Sequence, residues 1–163
     1  MTAQRDASAL IDGRSAFNEA VREAFAQALH RRERELCLCD VDFEPWPLDD
    51  ADVLADLSAW ARLPQRRLVI VASHFNALPR RFARFTEWRR TWAHVVQAHV
   101  TDVEPSQVPT LLLAGALGLT LSDRLRWRGH WLDGDQEVAD WREVLDVLLQ
   151  RSEPGFGANL LGL

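Results

Sequence analysis

The chain has 163 residues, of which 47% are hydrophobic and 26% are charged, proportions typical of a single globular domain. A formal charge of −5 at pH 7 argues against nucleic acid as a partner, because a phosphate backbone favours a basic surface. The 19 lysine and arginine residues are all arginine, so chemistry that needs a lysine, such as a Schiff base, is excluded.

The sequence also bears on location and cofactors. No apolar run approaches the roughly 18 residues of a membrane helix, so no membrane partner is expected. The N-terminal segment lacks the apolar core of an export signal, and we therefore expect a cytoplasmic protein. Cys37 and Cys39 alone do not make a zinc site or a disulfide framework, and we expect small buried side chains with no metal and no cofactor.

Helices and strands alternate along the first two thirds of the chain. Residues 1–13 are predicted to be a loose N-terminal segment, and residues 14–163 a single domain. Apolar residues at helical spacing follow Ser15, a candidate N-cap, and Asp49 or Asp50 is expected to cap a second helix. The other predicted elements are strands over 35–43 and 66–73, a helix from about Pro79, and a strand over 93–100.

The last third of the chain predicts an antiparallel hairpin and a closing helix. The runs "TLLLAGALGLTL" and "RLRWRGHWL" are both strand-like, and Ser122 and Asp123 lie between them as the expected turn. An apolar stripe from Val138 to Leu149 indicates the helix. The predicted fold is therefore a single α/β domain, a mixed β-sheet with a late antiparallel hairpin, flanked by helices.

The acidic stretch "ELCLCDVDF" places Asp40 and Asp42 at the carboxyl end of a buried strand, where two carboxylates could hold Mg²⁺. It resembles the first motif of haloacid-dehalogenase-type phosphatases, "LVIVAS" with Ser73 resembles the second, and "GDQEVAD" with Asp135 the fourth. The resemblance implies a magnesium-dependent phosphohydrolase with Asp40 as nucleophile and Asp42 as general acid. The family's third motif requires a lysine or, less often, an arginine; the chain has no lysine, and the sequence singles out no arginine for this role. The preferred interpretation is that these acidic residues end strands and begin helices.

A second resemblance covers residues 12–163. The segments "GRSAFNEAVREAFAQAL", "ELCLCDVDFEPWPL", "RRLVIVAS", the late hairpin and "WREVLDVLLQRSEPGFGANLLGL" resemble one half of a phospholipase-D-like domain from a small uncharacterised bacterial family. Active members carry His-x-Lys, followed four residues later by Asp, and "PTLLLAGALGLTLSD" has neither histidine nor lysine. The resemblance thus implies a non-catalytic domain with a binding or interaction role.

The second run of the late hairpin suggests where binding occurs. Strand alternation would place Arg124, Arg126, Arg128 and His130 on one face, where cationic groups repel each other unless something anionic meets them. The partner is either the protein's own acidic cluster, a phosphate-bearing ligand or another protein chain. The apolar tail with Leu160, Leu161 and Leu163 should dock on the domain or on a second subunit, which leaves a homo-oligomer open.

Overall fold

A mixed sheet of eight strands organises residues 9–156, the part of the chain that this computed structural model describes. The strand order across the sheet is β1-β7-β6-β5-β2-β3-β4-β8. The strands are β1 (Leu10–Asp12), β2 (Glu35–Cys39), β3 (Arg67–Ala72), β4 (Val96–Thr101), β5 (Thr110–Ala114), β6 (Leu117–Asp123), β7 (Arg128–Trp131) and β8 (Ser152–Pro154). The helices are α1 (Arg14–His30), α2 (Ala51–Ala61), α3 (Ala77–Arg81), α4 (Ala83–Thr91) and α5 (Gly134–Gln150), with one 3₁₀ turn over Pro105–Gln107. The predicted fold class is confirmed.

The centre of the sheet is built from the most apolar strands. β2, β3 and β4 are parallel, and β5 pairs with β2 in the antiparallel sense, so that Leu38 lies between Ile70 and Leu112. Strands covered on both faces are expected to be nearly continuously apolar, as β2, β3 and β5 are. Alternate side chains separate into two layers: Leu36 and Leu38 pack with α1 and α2, whereas Cys37 and Cys39 pack with α5.

Strand direction determines which loops meet. β2, β3 and β4 run the same way, so the loops that follow β2 and β3 lie together at the carboxyl end of the sheet. β6 is antiparallel to β5, which is antiparallel to β2, so the tip of the β6–β7 hairpin lies at this same end. β7 runs back, and α5 therefore begins at the opposite, amino end of the sheet.

Several predicted boundaries differ from the structure. The single strand predicted over "TLLLAGALGLTL" is two strands, β5 and β6, because the chain turns at Gly115 with φ 61°. The next turn lies at residues 124–127, where Trp127 N donates to Arg124 O, and Ser122 and Asp123 belong to β6. The late hairpin is therefore three antiparallel strands.

Other differences lie at the ends of elements. Residues 10–12, predicted to be loose, pair with β7 as an edge strand. The N-cap of α1 is Gly13 and not Ser15. The helix expected from about Pro79 is interrupted at Phe82, whose ψ of 63° separates α3 from α4. No helix within residues 9–156 is long and apolar enough to cross a membrane. Leu160, Leu161 and Leu163 lie outside the described residues.

Candidate functional site

Asp40, the residue that follows β2, is the most deeply buried carboxylate of the described chain, with 0% exposure. Its Oδ1 accepts hydrogen bonds from Thr110 Oγ1 (2.5 Å) and Arg124 Nε (3.2 Å). Its Oδ2 accepts from the backbone N–H of Phe43 (2.9 Å) and from Arg124 Nη2 (3.1 Å). Four donors occupy the roughly four lone-pair positions that a carboxylate offers. Asp40 is thus fully used in holding the β5 strand, its own loop and Arg124 together.

Arg124 is held by a second carboxylate as well. Its Nη2 lies 2.6 Å from Asp42 Oδ1, which also accepts the backbone N–H of Glu44. Burial alone would lower the pKa of Arg124, but the hydrogen bonds and charges of Asp40 and Asp42 outweigh burial and raise that pKa. The guanidinium is therefore permanently charged and its orientation is set by two side chains from the β2 loop.

A cavity of about 260 Å³ opens in front of Arg124. Its cationic lining residues are Arg14, Arg81 and Arg124, and Trp127 supplies an aromatic wall. The guanidinium carbon of Arg14 lies 5.5 Å from the centroid of the Trp127 ring, a cation–π contact. Arg81 Nη1 lies 2.5 Å from Glu44 Oε1. Asp40, Asp42, Arg124, Arg14, Arg81 and Trp127 together form what we term the Arg124 site.

Two residues of this region have a left-handed backbone. Phe43 has φ 61° and Trp127 has φ 57°, a conformation that side chains larger than glycine rarely adopt. Such positions typically cost about 1–3 kcal/mol each and persist where surrounding contacts over-determine them. Here Phe43 packs against Trp46 at 5.1 Å between ring centroids, and Trp127 against Phe17 at 5.6 Å. Strained backbone of this kind clusters at functional sites; here Trp127 lines the cavity, and Phe43 directly precedes the lining residue Glu44.

The four residues of the phosphohydrolase hypothesis do not form one cluster. The structure brings Asp40 and Asp42 together, but the cation between them is Arg124. Ser73 lies on the neighbouring strand end, where its N–H donates to Val41 O. Asp135 lies in the first turn of α5, at the opposite end of the sheet. Among residues 9–156, no group of three or more histidine, cysteine or acidic side chains is arranged to hold a metal ion.

The predicted cationic row is not a single strand face. Residues 124–127 form a turn, so only Arg128 and His130 alternate along β7. Each of the four side chains meets an acidic residue from a different part of the chain. The pairs are Arg124 with Asp40 and Asp42, Arg126 with Asp123, Arg128 with Asp12, and His130 with Glu137. The predicted row therefore separates into four side chains with different acidic partners, and only Arg124 of the four lines the cavity.

Sequence reasoning missed Arg14, Arg81 and Trp127. Arg14 begins α1, and Arg81 ends α3 in an arginine-rich segment where neighbouring arginines are indistinguishable by pattern. Trp127 lies within the run "RLRWRGHWL", which was predicted to be a strand. Its left-handed turn carries no sequence signal, because tryptophan does not favour that conformation.

No protein-family model and no curated protein matches this chain. Among solved structures, TrmBL2 is similar, with a TM-score of 0.60 and 15% sequence identity; its structure is described as that of an archaeal chromatin protein that shows a novel mode of DNA binding. The match covers 90% of this chain and 53% of that chain, so this chain spans about half the length of TrmBL2. The likeness shows a shared fold.

This likeness corrects three expectations. The phospholipase-D-like assignment is wrong, since the structural comparison leads to TrmBL2 and nothing points to a phospholipase-D-like fold. An order of helices and strands, which carried that assignment, is common to many α/β domains. The expected bacterial family is contradicted by an archaeal neighbour, and the expectation against nucleic acid is contradicted by a neighbour described as binding DNA. Net charge describes the whole chain and not one surface, so it does not decide whether one face can meet a nucleic acid.

Proposed function

We propose that this chain is a non-catalytic binding domain and that the Arg124 site takes a phosphate group of its ligand. The observation that carries the proposal is a guanidinium fixed by two carboxylates at the mouth of a cavity that two further arginines line. Arg124 uses Nε and Nη2 to bind Asp40 and Asp42, and no protein acceptor for its Nη1 is found among residues 9–156. That nitrogen remains available to an anion.

The chemistry of the cavity favours phosphate. Arginine presents planar, permanently charged donors that match phosphate oxygens, and the site brings three of them together. The carboxylates of Asp40 and Asp42 lower the net positive charge, but they hold Arg124 in one orientation and reduce the entropy lost when a ligand binds. Asp40 is completely buried, so a ligand that enters the cavity contacts the arginines first.

The same lining residues support binding without catalysis. The cavity is lined by arginines, Trp127, Leu125, Pro45 and Glu44, and this set includes no serine, cysteine or histidine nucleophile. Its one acidic residue, Glu44, is paired with Arg81.

The cytoplasmic location stays a prediction from the sequence.

The phosphate could belong to a small ester or to nucleic acid, and the description of TrmBL2 as a DNA-binding protein favours testing both. The full chain is titrated with a nucleoside monophosphate and, separately, with a short oligonucleotide, by calorimetry. We expect Arg124→Gln to weaken binding of either probe about tenfold or more, whereas Arg90→Gln leaves it unchanged. Arg90 is an exposed arginine paired with Glu87, near the end of α4 and away from the site, and is the matched control.

Arg124→Gln also unpairs the buried Asp40, so Arg14→Gln serves as a second probe that breaks only the contact with Trp127. Unchanged affinity in both variants would overturn the proposal. A parallel incubation with Mg²⁺ and a generic phosphomonoester tests the phosphohydrolase hypothesis. Turnover that Asp40→Asn abolishes would show an enzyme instead.

A further inference from the structure

A second cavity, of about 500 Å³, lies beside the Arg124 site at the carboxyl ends of β3 and β4. In parallel sheets this is the position where ligands are bound most often. Its polar lining residues are His74, Asn76 and Arg80, and its aromatic ones are Phe75 and Phe156. Among residues 9–156, no carboxylate lines this cavity, so an anion that enters it meets the donors of these residues without a competing acidic side chain.

The donors of the second cavity are oriented by one residue. The backbone N–H of Asn76 donates to His74 Nδ1 (3.4 Å), and Arg80 Nε donates to Asn76 O (3.4 Å). Because Nδ1 of His74 accepts a hydrogen bond, a neutral His74 carries its proton on Nε2. Because Arg80 donates through Nε, both of its Nη groups are left for a ligand. Beside them Phe156 stacks on Phe75, with 5.3 Å between ring centroids, and Phe156 remains partly accessible. A cationic side chain next to an aromatic face is the pattern of sites that bind a phosphate and a base together.

The two cavities are joined by consecutive residues. Arg80 lines the second cavity and Arg81 lines the cavity of the Arg124 site, both from the last turn of α3. Neighbouring Cα atoms are about 3.8 Å apart, and successive helical side chains differ in direction by about 100°. One short helix therefore presents a cation to each cavity, within reach of a single extended polyanion.

Resting on the proposed function, we infer that the two cavities form one track for a single-stranded nucleic acid. One phosphate lies at the Arg124 site, a neighbouring phosphate at Arg80, and a base lies against Phe156. A base inside a duplex cannot reach an aromatic side chain without leaving its stack, so the track fits a single strand.

The test compares ligand lengths. Binding of the full chain to a pyrimidine mononucleotide and to single-stranded pyrimidine oligonucleotides of two, four and eight residues is measured by fluorescence anisotropy at fixed salt. The mononucleotide affinity, set at the Arg124 site, is the reference. We expect the longer strands to bind about tenfold more tightly than the mononucleotide, and Arg80→Gln to remove this gain. Arg90→Gln, with the same change of charge, should keep it.

The outcomes separate the two proposals. If the mononucleotide binds but length adds nothing, or if the gain survives Arg80→Gln, the track is overturned and the Arg124 site stands. If a duplex of eight base pairs binds more tightly than the single strand, the single-strand assignment is overturned. If neither mononucleotide nor oligonucleotide binds, the proposed function itself fails.

Discussion

Arg124 and Asp40 depend on each other at the level of single atoms. Asp40 is completely buried and receives two of its four hydrogen bonds from Arg124. In an Asp40→Asn variant, an NH₂ group would replace one of the two carboxylate oxygens. Its hydrogens would then face the donors that now bind that oxygen. A buried donor or acceptor left without a partner typically costs about 1–3 kcal/mol.

We therefore expect Asp40→Asn to lower the free energy of unfolding by about 1–3 kcal/mol, measured by urea denaturation. Asp42→Asn is the control, because Asp42 makes fewer contacts and its side chain is 17% exposed. Asp42→Asn should lower the free energy of unfolding by less than Asp40→Asn does. An equal loss in both variants would contradict the role of Asp40 as the principal anchor of Arg124.

At the scale of elements, the start of α2 joins two helices. Asp50 Oδ1 accepts the backbone N–H groups of Asp52 (2.9 Å) and Val53 (3.2 Å), which makes Asp50 the N-cap. Its Oδ2 accepts from Arg22 of α1, at 3.0 Å from Nε and 2.8 Å from Nη2. One carboxylate thus begins α2 and ties it to α1.

This carboxylate should make stability depend on pH. Burial alone would raise the pKa of Asp50, but the hydrogen bonds from Arg22 and the helix N-terminus outweigh it and lower that pKa below the ordinary 3.8. A lowered pKa in the folded state stabilises the fold above pH 3.8, and this contribution is lost as the pH falls through the folded value.

We expect Asp50→Ala to cost about 1 kcal/mol near neutral pH, since both the cap and the Arg22 pair are lost. Below about pH 4 the difference from the natural chain should shrink. Asp50→Asn, which keeps a capping oxygen, should lose less at neutral pH. Thermal unfolding at pH 7 and pH 3 measures these differences, and a penalty for Asp50→Ala that does not change with pH would count against the ionic contribution.

The elements also show what sequence can and cannot predict. Asp50, one of the two predicted N-caps, is the cap in the structure, and the central strand predicted over 66–73 is confirmed as Arg67–Ala72. Both could be predicted because helix capping and continuous apolar runs are local signals. β1 and β8 were missed since each has three residues and pairs only with a distant strand. Arg124 and Asp40 are 84 residues apart, and only the strand directions bring them together. The cationic row that contains Arg124 was visible in the sequence, but its anionic partner was left open among the acidic cluster, a phosphate-bearing ligand and another chain.

At the scale of the whole molecule, the cysteines report on cooperative unfolding. Cys37 and Cys39 lie in β2, near the centre of the sheet, and face α5. Burial, with the charge and hydrogen bond of Glu35, raises the pKa of Cys37 to about 12, and burial with the charge of Asp40 also raises the pKa of Cys39. Since the thiolate is the reactive form, both thiols should be inert in the folded protein.

We expect an aromatic disulfide reagent at pH 8 to modify neither cysteine in the native chain and both after denaturation. Raising the urea concentration should increase the modification rate in parallel with the unfolded fraction measured by circular dichroism. Rapid labelling of Cys37 without urea would show that α5 separates from the sheet while the rest stays folded.

The strand order places the two ends of the described chain at opposite sides of the sheet, β1 on one and β8 on the other. With about 4.8 Å between neighbouring strands, these sides are separated by roughly 30 Å. A pulling force applied between residues 9 and 156 would act across the strands and load their backbone hydrogen bonds one pair at a time. The domain should consequently yield to tension by peeling from a side, at low force, rather than by sliding of its central strands.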